Sequence, residues 1–327
     1  MNLLGAASIK YTVRGIDDAT GKSIAAKVFR RSAFAKARQQ FRILELMADD
    51  LVKVNGKKFA IVRTIVRSAI AAVQKELSSA GEVEKSRLAR NEVYSPRRVG
   101  SVKVSVPYDQ YVHRRLIGAE FAPGVSLFDK SIPESTRLEI AEAILSLERD
   151  LLLGEGQAKV RFEPDRHAGN YRVELIRKGP ELEVHLHVID FGQLTEISAV
   201  ERELIFEWFA LAQVLKATGA TQGAAKVIAE RAGLTVEQTK VLIKNLGVYF
   251  PDRAASEVNA YFALFASIED AGKTLNPAMI DFIRAILQLK PYETLLGAKP
   301  ELHVTSLFAE RVRAAGERVL PKTLDRM

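Results

Sequence analysis

The hydrophobic pattern of the 327-residue sequence changes near residue 198, and this change limits the fold more than any other feature. Before that point, short alternating stretches at 23–29, 102–106 and 184–189 predict strands among longer helical runs, including one over 59–89. Such segregation of strands and helices is typical of an α+β fold. Beyond it, apolar residues recur at helical spacing, which predicts helices at 198–217, 222–232, 235–247, 254–270, 275–288 and 306–316.

The chain is strongly interrupted at Ala122-Pro123-Gly124, because proline and glycine seldom continue a strand or a helix. We place a domain boundary there. The sequence therefore predicts a bilobed α+β protein, with a small mixed β/α N-lobe at 1–121 and a mostly helical C-lobe at 122–327.

Composition excludes several classes of function. The chain has no cysteine, so it has no disulfide framework, no thiolate nucleophile and no cysteine-ligated metal. It also lacks an uncharged apolar run near the ~18 residues of a membrane span, and it lacks a signal-peptide pattern. A reducing, cytoplasmic setting is therefore favoured.

The net charge of +8 favours anionic partners such as nucleotide phosphates. Basic residues are dispersed among apolar and acidic ones, and no nucleic-acid recognition pattern accompanies them, so we expect no nucleic-acid partner. Peripheral membrane contact through basic faces stays open.

The segment 162–192 carries the most chemistry. Asp165 and Asn170 lie five residues apart on a predicted loop, and Asp190-Phe191-Gly192 follows a predicted hairpin. Transfer of a phosphoryl group from Mg-ATP needs a carboxylate that orients the acceptor, together with an amide oxygen and a second carboxylate that hold the metal. The order D-x-x-x-x-N and then D-F-G matches the second half of the protein-kinase signature set.

A kinase-like site also needs a strand lysine for the phosphates and a helical glutamate that holds this lysine. Lys27, in Ala25-Ala26-Lys27-Val28 on a predicted strand, fits the first role. Glu45 lies eighteen residues further on, the spacing of ordinary protein kinases, and Glu82 is the competing partner. The sequence therefore predicts a protein-kinase-like fold with ATP and Mg²⁺ as cofactors.

The set of motifs extends along the chain from about residue 5 to 200. Its members are Gly5-Ala6-Ala7-Ser8-Ile9, Ala26-Lys27-Val28, the segment from Glu76 to Glu82, Gly118 to Leu127, Glu163 to Asn170, and Ile189-Asp190-Phe191-Gly192. In this order they resemble the alanine-rich loop, lysine strand, E-x-D helix, hinge, catalytic loop and metal motif of the ABC1/UbiB (AarF, ADCK) family of atypical, protein-kinase-like ATPases.

The resemblance implies a role for each matching residue. Lys27 would contact the phosphates and pair with Glu82, which the resemblance favours over Glu45. Asp165 would be the catalytic carboxylate, and Asn170 and Asp190 would hold Mg²⁺. The loop residues Ala6, Ala7 and Ser8 would cover the nucleotide, and the backbone from Glu120 to Ala122 would meet the adenine.

The sequence also departs from the family pattern. Glu163 replaces a histidine, Ala168 a proline and Ser78 an aspartate. No K-x-G-Q segment precedes the alanine-rich loop, which implies either a natural short form with a more open site or a truncated start. The first hypothesis is an ATPase or kinase with an unknown acceptor: a protein, a small molecule or a lipid-pathway intermediate. The second is a weakly active or inactive pseudokinase that serves as a nucleotide-binding or interaction module.

Two histidines stand apart from these motifs. His185 and His187 flank Leu186 on a predicted strand, so their side chains lie on one face and could bind a metal. Because the sequence suggests no third ligand, we interpret them as surface or interface histidines.

Overall fold

The computed structural model describes residues 2–6, 10–30, 33–55, 60–76, 79–94, 96–113, 116–250, 257–297 and 299–324. The strands are β1 (Asn2–Ala6), β2 (Lys10–Ile16), β3 (Ser23–Phe29), β4 (Arg97–Val99), β5 (Val102–Ser105), β6 (Asp109–His113), β7 (Leu116–Glu120), β8 (Lys159–Phe162), β9 (Tyr171–Lys178), β10 (Glu181–Val188) and β11 (Thr195–Ser198). The helices are α1 (Ala33–Asn55), α2 (Ala60–Glu76), α3 (Ser79–Leu88), α4 (Glu134–Leu153), α5 (Ala199–Thr218), α6 (Thr221–Ala232), α7 (Val236–Tyr249), α8 (Glu257–Asp270), α9 (Ala278–Gln288), α10 (Lys290–Leu296) and α11 (Val304–Leu324).

The prediction of a mixed first portion and a mostly helical last portion is confirmed. The helical run expected over 59–89 is covered by α2 and α3, and residues 59, 77 and 78 lie outside the described residues. A π-helical turn at 89–93 follows α3.

An antiparallel sheet in the order β1-β2-β3-β7-β6 holds the lysine strand at its centre. The turn between β2 and β3 forms because Asp17 accepts hydrogen bonds from the Ala19 amide (3.1 Å) and the Thr20 hydroxyl (2.5 Å). Gly21 completes it with a φ of 68°, a conformation that glycine adopts without steric cost.

A second sheet has the order β4-β5-β10-β9, and β8 pairs with β11 in a third. The β5–β10 pair is parallel, while the others are antiparallel. The hydrophobic pattern does not predict strands β4, β8 and β11, because they are three or four residues long and carry charged or polar side chains. One sheet thus joins strands from both sides of residue 121, and the division into lobes at 121/122 stays a prediction.

The largest apolar core extends from β4 and β5 into the C-terminal helices. Trp208 on α5 is 1% exposed and belongs to this core. Helix α5 begins with a reciprocal Ser198–Glu201 capping box and ends at Gly219, whose φ is 72°. Among the helices of the described residues, none has both the length and the apolar composition that are needed to cross a bilayer.

Candidate functional site

Lys27 lies at the centre of the candidate site. Its strand β3 is paired on both sides, with Thr12 and Ile117 as the residues opposite Lys27. The Lys27 ammonium is 2.7 Å from Glu82 Oε1 and 3.2 Å from Asp190 Oδ1. The lysine therefore bridges a carboxylate on α3 and the carboxylate that follows β10.

Glu82 is the helical partner of Lys27. It lies in the first turn of α3, is 3% exposed and also forms an ion pair with Lys10 on β2. Glu45, the competing residue, is exposed on α1 and lies near Arg63 and Arg67 of α2.

No sequence motif marks Lys10, although the register of the β2–β3 hairpin places it beside Lys27. Lys10 lies opposite Phe29, two residues beyond Lys27 on the neighbouring strand. Because side chains alternate along a strand, both lysines occupy one face of the sheet.

The ion pairs determine the charge states of Lys27 and Asp190. Burial favours a neutral Lys27, but the charges of Asp190 and Glu82 outweigh it, so the pKa of Lys27 lies above its ordinary value. Burial likewise opposes ionisation of Asp190. The charges of Lys27 and Lys10 and the hydrogen bonds that Asp190 accepts outweigh this effect, so the Asp190 pKa lies well below its ordinary range. Both groups are therefore charged at neutral pH.

Asp165 and Asn170 lie on the loop after β8, which ends in a 3₁₀ turn at 168–170. The Asn170 side-chain amide donates a hydrogen bond to the Asp165 carbonyl at 2.5 Å, and its backbone N–H donates to the His167 carbonyl at 2.9 Å. The Asp165 side chain is 36% exposed. The loop therefore holds Asn170 from its own backbone while the Asp165 carboxylate stays accessible.

The β9–β10 hairpin brings Asn170 and Asp190 together. The Ile189 N–H donates to the Asn170 carbonyl at 2.9 Å, directly beside Asp190. Among the described residues other than glycine, Asp190 alone has a positive φ, which is 63°. A non-glycine residue in this region is uncommon and strained, and such strain concentrates at functional sites.

Helix α3 also holds the glycine of the Asp190-Phe191-Gly192 motif. Lys85, three residues after Glu82, donates a hydrogen bond to the Gly192 carbonyl at 2.8 Å. One helix therefore anchors both Lys27 and the backbone after Asp190. No sequence motif marks Lys85.

Arg166 lies beneath the loop at 163–170. It is 1% exposed, donates to the Ile189 carbonyl at 3.0 Å and lies over the Phe191 ring at 4.5 Å. Nearby, Tyr94 and Tyr171 both donate to Glu148 Oε1, at 2.8 and 3.1 Å. These contacts join the catalytic-loop region to β9, to the segment after Asp190 and to α4, and no local motif predicts them.

Glu163, which stands where the family pattern has histidine, is 1% exposed. Its carboxyl oxygens accept hydrogen bonds from the backbone N–H groups of Asp165 (3.3 Å) and Gln193 (3.1 Å). Burial raises the Glu163 pKa to about 8, although Arg166 opposes the shift. Glu163 thus links the loop to the segment after Gly192.

The remaining predicted site residues are less closely placed. Ala6 ends β1 opposite Tyr11, whereas Ala7 and Ser8 lie outside the described residues. At the predicted hinge, Glu120 is exposed and Ala122 is 8% exposed. The Glu120 N–H donates to the Tyr108 carbonyl at 2.8 Å, and the Phe121 N–H donates to the Ser23 carbonyl at 3.2 Å.

In this site a strand lysine pairs with a helical glutamate, and a loop asparagine lies beside a D-F-G aspartate. This arrangement defines the class of atypical kinase-like proteins. Residues 2–221 match the family model of the ABC1 atypical kinase-like domain. The chain belongs to this family, and the resemblance expected from its motifs is confirmed.

Two solved structures are similar to this one. Rv3197 from Mycobacterium tuberculosis, solved in complex with erythromycin, is 16% identical and superimposes with a TM-score of 0.51 over 98% of this chain and 77% of that chain. The Rio2 kinase from Chaetomium thermophilum, solved as an ADP/Mg²⁺-phosphoaspartate complex, is 13% identical with a TM-score of 0.36 over 88% and 70%. Among curated proteins, no sequence matches this chain.

Proposed function

We propose that this chain binds Mg-ATP and hydrolyses it or transfers its γ-phosphoryl group to an acceptor. The observation that carries the proposal is the position of Lys27, whose ammonium contacts both Glu82 and Asp190. Membership of an atypical kinase-like family supports it. Lys27 is the group suited to the phosphates, because Glu82 fixes its ammonium from one side and its positive charge persists at neutral pH.

The residues beside Lys27 fit a magnesium ion. The Asn170 amide nitrogen is engaged with the Asp165 carbonyl, which leaves Oδ1 as the ligand atom of that side chain. Asp190 is ionised and supplies carboxylate oxygen, the ligand type that Mg²⁺ prefers. Asn170 and Asp190 would hold the ion, which would neutralise charge on the phosphates when bound.

Asp165 would orient the attacking hydroxyl or water and accept its proton. Its carboxylate is accessible, and the loop beneath it is fixed by Asn170 and Glu163. A positioned general base contributes about 10²–10⁴-fold to a rate. Positioning and charge neutralisation would supply the rest of the barrier reduction.

The adenine would meet the segment after β7. The amides of Glu120 and Phe121 already donate to protein carbonyls. Contact from this segment would therefore fall to the amide of Ala122 or to backbone carbonyls, and the loop at Ala6, Ala7 and Ser8 would cover the phosphates.

The acceptor stays open among water, a small molecule, a lipid-pathway intermediate and a protein. The alternative function is a pseudokinase that binds nucleotide without turnover. Asp165 distinguishes the two, because a binding module does not need an accessible carboxylate on a braced loop.

The test measures nucleotide binding and turnover separately. Thermal unfolding with and without Mg-ATP reports binding, because a ligand at 100 times its Kd stabilises the folded state by about 2.7 kcal/mol, or several degrees in Tm. Phosphate release reports turnover. We expect Asp190→Asn to lose both signals, and Asp165→Asn to keep the thermal shift while phosphate release falls at least about 100-fold.

Asp150→Asn is the matched control, because Asp150 is an exposed carboxylate at the end of α4 and this change should leave both signals intact. A thermal shift with equal phosphate release in wild type and Asp165→Asn would favour the pseudokinase. A wild type without a magnesium-dependent shift at millimolar ATP would overturn the proposal.

A further inference from the structure

Three side chains away from Lys27 converge on the β9–β10 hairpin. His185 and His187 lie on the same face of β10, and Glu174 on β9 lies directly opposite His185. One oxygen of Glu174 and one nitrogen of each histidine lie within 4.8 Å of one another. The structure thus supplies the third ligand that the sequence did not suggest.

The distances approach those of a metal centre. Glu174 Oε2 is 3.3 Å from His187 Nε2 and 3.9 Å from His185 Nδ1. In a tetrahedral zinc site with bonds of about 2.0–2.1 Å, neighbouring ligand atoms lie roughly 3.3 Å apart. One pair already has this spacing, and the other needs a rotation of the His185 ring or of the Glu174 carboxylate.

The outward nitrogen of each histidine faces an oxygen. Ser105 Oγ on β5 is 3.0 Å from His187 Nδ1, and Glu183 Oε1 is 3.0 Å from His185 Nε2. Histidines that bind metals almost always present their second nitrogen to such a group, which fixes the ring and its tautomer. The Ser105 contact holds the His187 ring in this way, whereas His185 Nε2 lies in ion-pair contact with Glu183 without hydrogen-bond geometry. The inner nitrogens of both rings are directed at Glu174.

The cluster is largely covered by protein. Glu183, which contacts His185, forms ion pairs with Lys178 and Arg98. The histidine side chains are 15% and 14% exposed, so they do not form an open surface patch.

We propose that Glu174, His185 and His187 bind one divalent transition-metal ion, for which Zn²⁺ is the best match. Two imidazoles and one carboxylate form a ligand set that suits Zn²⁺, Co²⁺ or Ni²⁺, with one position left for water. Asn170 and Asp190 offer only oxygen and suit Mg²⁺. The ion would cross-link β9 and β10, the hairpin between those two residues, and the inference does not rest on the proposed phosphoryl transfer.

Cobalt is the probe, because four-coordinate Co²⁺ absorbs visible light and replaces Zn²⁺ in such sites. The tag-free chain is stripped with a chelator and titrated with Co²⁺ in excess Mg²⁺, which occupies the oxygen-ligand site. We expect saturation at one ion per chain and displacement by Zn²⁺. His185→Gln and His187→Gln should abolish the absorption, and Ser105→Ala should weaken binding about 10–100-fold.

His303→Gln is the matched control, because His303 precedes α11 outside the cluster and its loss should leave the titration unchanged. If the histidine variants do not fold, Glu174→Gln tests the same site, since Glu174 is the most exposed ligand at 29%. The proposal is overturned if the wild type binds no Co²⁺, or if folded ligand variants bind it with unchanged affinity. It is also overturned if Asp190→Asn abolishes the signal, since the ion would then belong to the oxygen-ligand site.

Discussion

The two sides of the candidate site are held by different forces. Beside Lys27, the buried apolar cluster consists of Phe29, Val83 and Ile117, with Val73 packed against it. Next to this small cluster, the buried Glu82 forms ion pairs with the partly exposed Lys10 and Lys27. The loop at 163–170 instead lies on the large core, where Phe162 of β8 packs against Phe282 of α9.

This difference separates groups that adjust to a ligand from groups that stay fixed. An ion pair can exchange one anionic partner for another, so under the proposed function the Lys27 ammonium would leave Asp190 for a phosphate while Glu82 retains it. A close-packed core moves little, because each small shift loses contacts. We therefore expect the loop that carries Asn170 and Asp165 to stay fixed and the ion pairs of Lys27 to adjust.

The largest effect is expected in the core. Phe282 is fully buried and lies 5.5 Å from Phe162 and 6.3 Å from Phe206, centroid to centroid. Phe282→Ala should lower the free energy of unfolding by about 3–5 kcal/mol, through lost transfer energy and the cavity left behind. Urea denaturation measures the change, and a loss below about 1 kcal/mol would show that this core repacks freely.

A smaller effect is expected when the charged cluster loses its centre. Glu82→Gln leaves Lys10 and Lys27 near each other without their common carboxylate. Removing one partner of a buried pair costs about 3–5 kcal/mol, and the partial exposure of the lysines, 11% and 22%, places this variant at or below the lower end.

The same cluster offers a rescue. In the Glu82→Gln background, Lys10→Met removes one of the two lysine charges that have lost Glu82, while Lys27 keeps its contact with Asp190. This second change should restore part of the lost stability, measured by the same urea denaturation. If the second substitution adds further loss instead, repulsion between the lysines is not what destabilises the single variant.

A third effect depends on pH. The folded-state pKa of Glu163 is about 8 against an ordinary 4.5, so the folded chain retains a proton that the unfolded chain has lost. Stability should therefore fall as pH rises from about 4.5 to 8, by at most about 1.4 kcal/mol per pH unit, and level off above that.

Glu163→Gln isolates this contribution, since the other titrating groups cancel in the difference between the two proteins. The unfolding free energy of the wild type minus that of the variant should decline between pH 5 and 8. A difference that stays constant across this range would mean that the amides of Asp165 and Gln193 keep Glu163 ionised.

The sequence points to the candidate site residues more directly than to their partners. Lys27, Asp165, Asn170 and Asp190 stand out because the order and spacing of the motifs reflect one chain path through a kinase-like fold. Whether Glu45 or Glu82 meets the lysine depends on how α1 and α3 pack, which spacing alone does not determine. The structure places Glu82 there, in a buried first helical turn.

Other features depended on distances that no local pattern records. Tyr94 and Glu148 are 54 residues apart in the chain, yet they share a hydrogen bond beneath the catalytic loop. Glu174 becomes a neighbour of His185 through strand register, which the imprecise ends of the predicted strands left undefined. The position of Lys10 could have been predicted, since the Asp17–Gly21 turn implies which residues of β2 and β3 lie opposite each other.

The smallest effect is expected for an exposed ion pair of the same length as the Lys27–Glu82 pair. Lys240 and Glu237 on α7 also lie 2.7 Å apart, but their side chains are 66% and 79% exposed. Water screens such a pair, and ordering two long side chains costs entropy, so Lys240→Ala should change the unfolding free energy by about 0.5 kcal/mol or less.

A double-mutant cycle on each pair then compares two ion pairs of equal length, one exposed and one buried. The coupling between Lys240 and Glu237 should vanish in high salt, whereas that between Lys27 and Glu82 should persist, because buried charges are screened far less. Equal coupling energies would mean that distance, rather than burial, sets the strength of the charge cluster at Lys27.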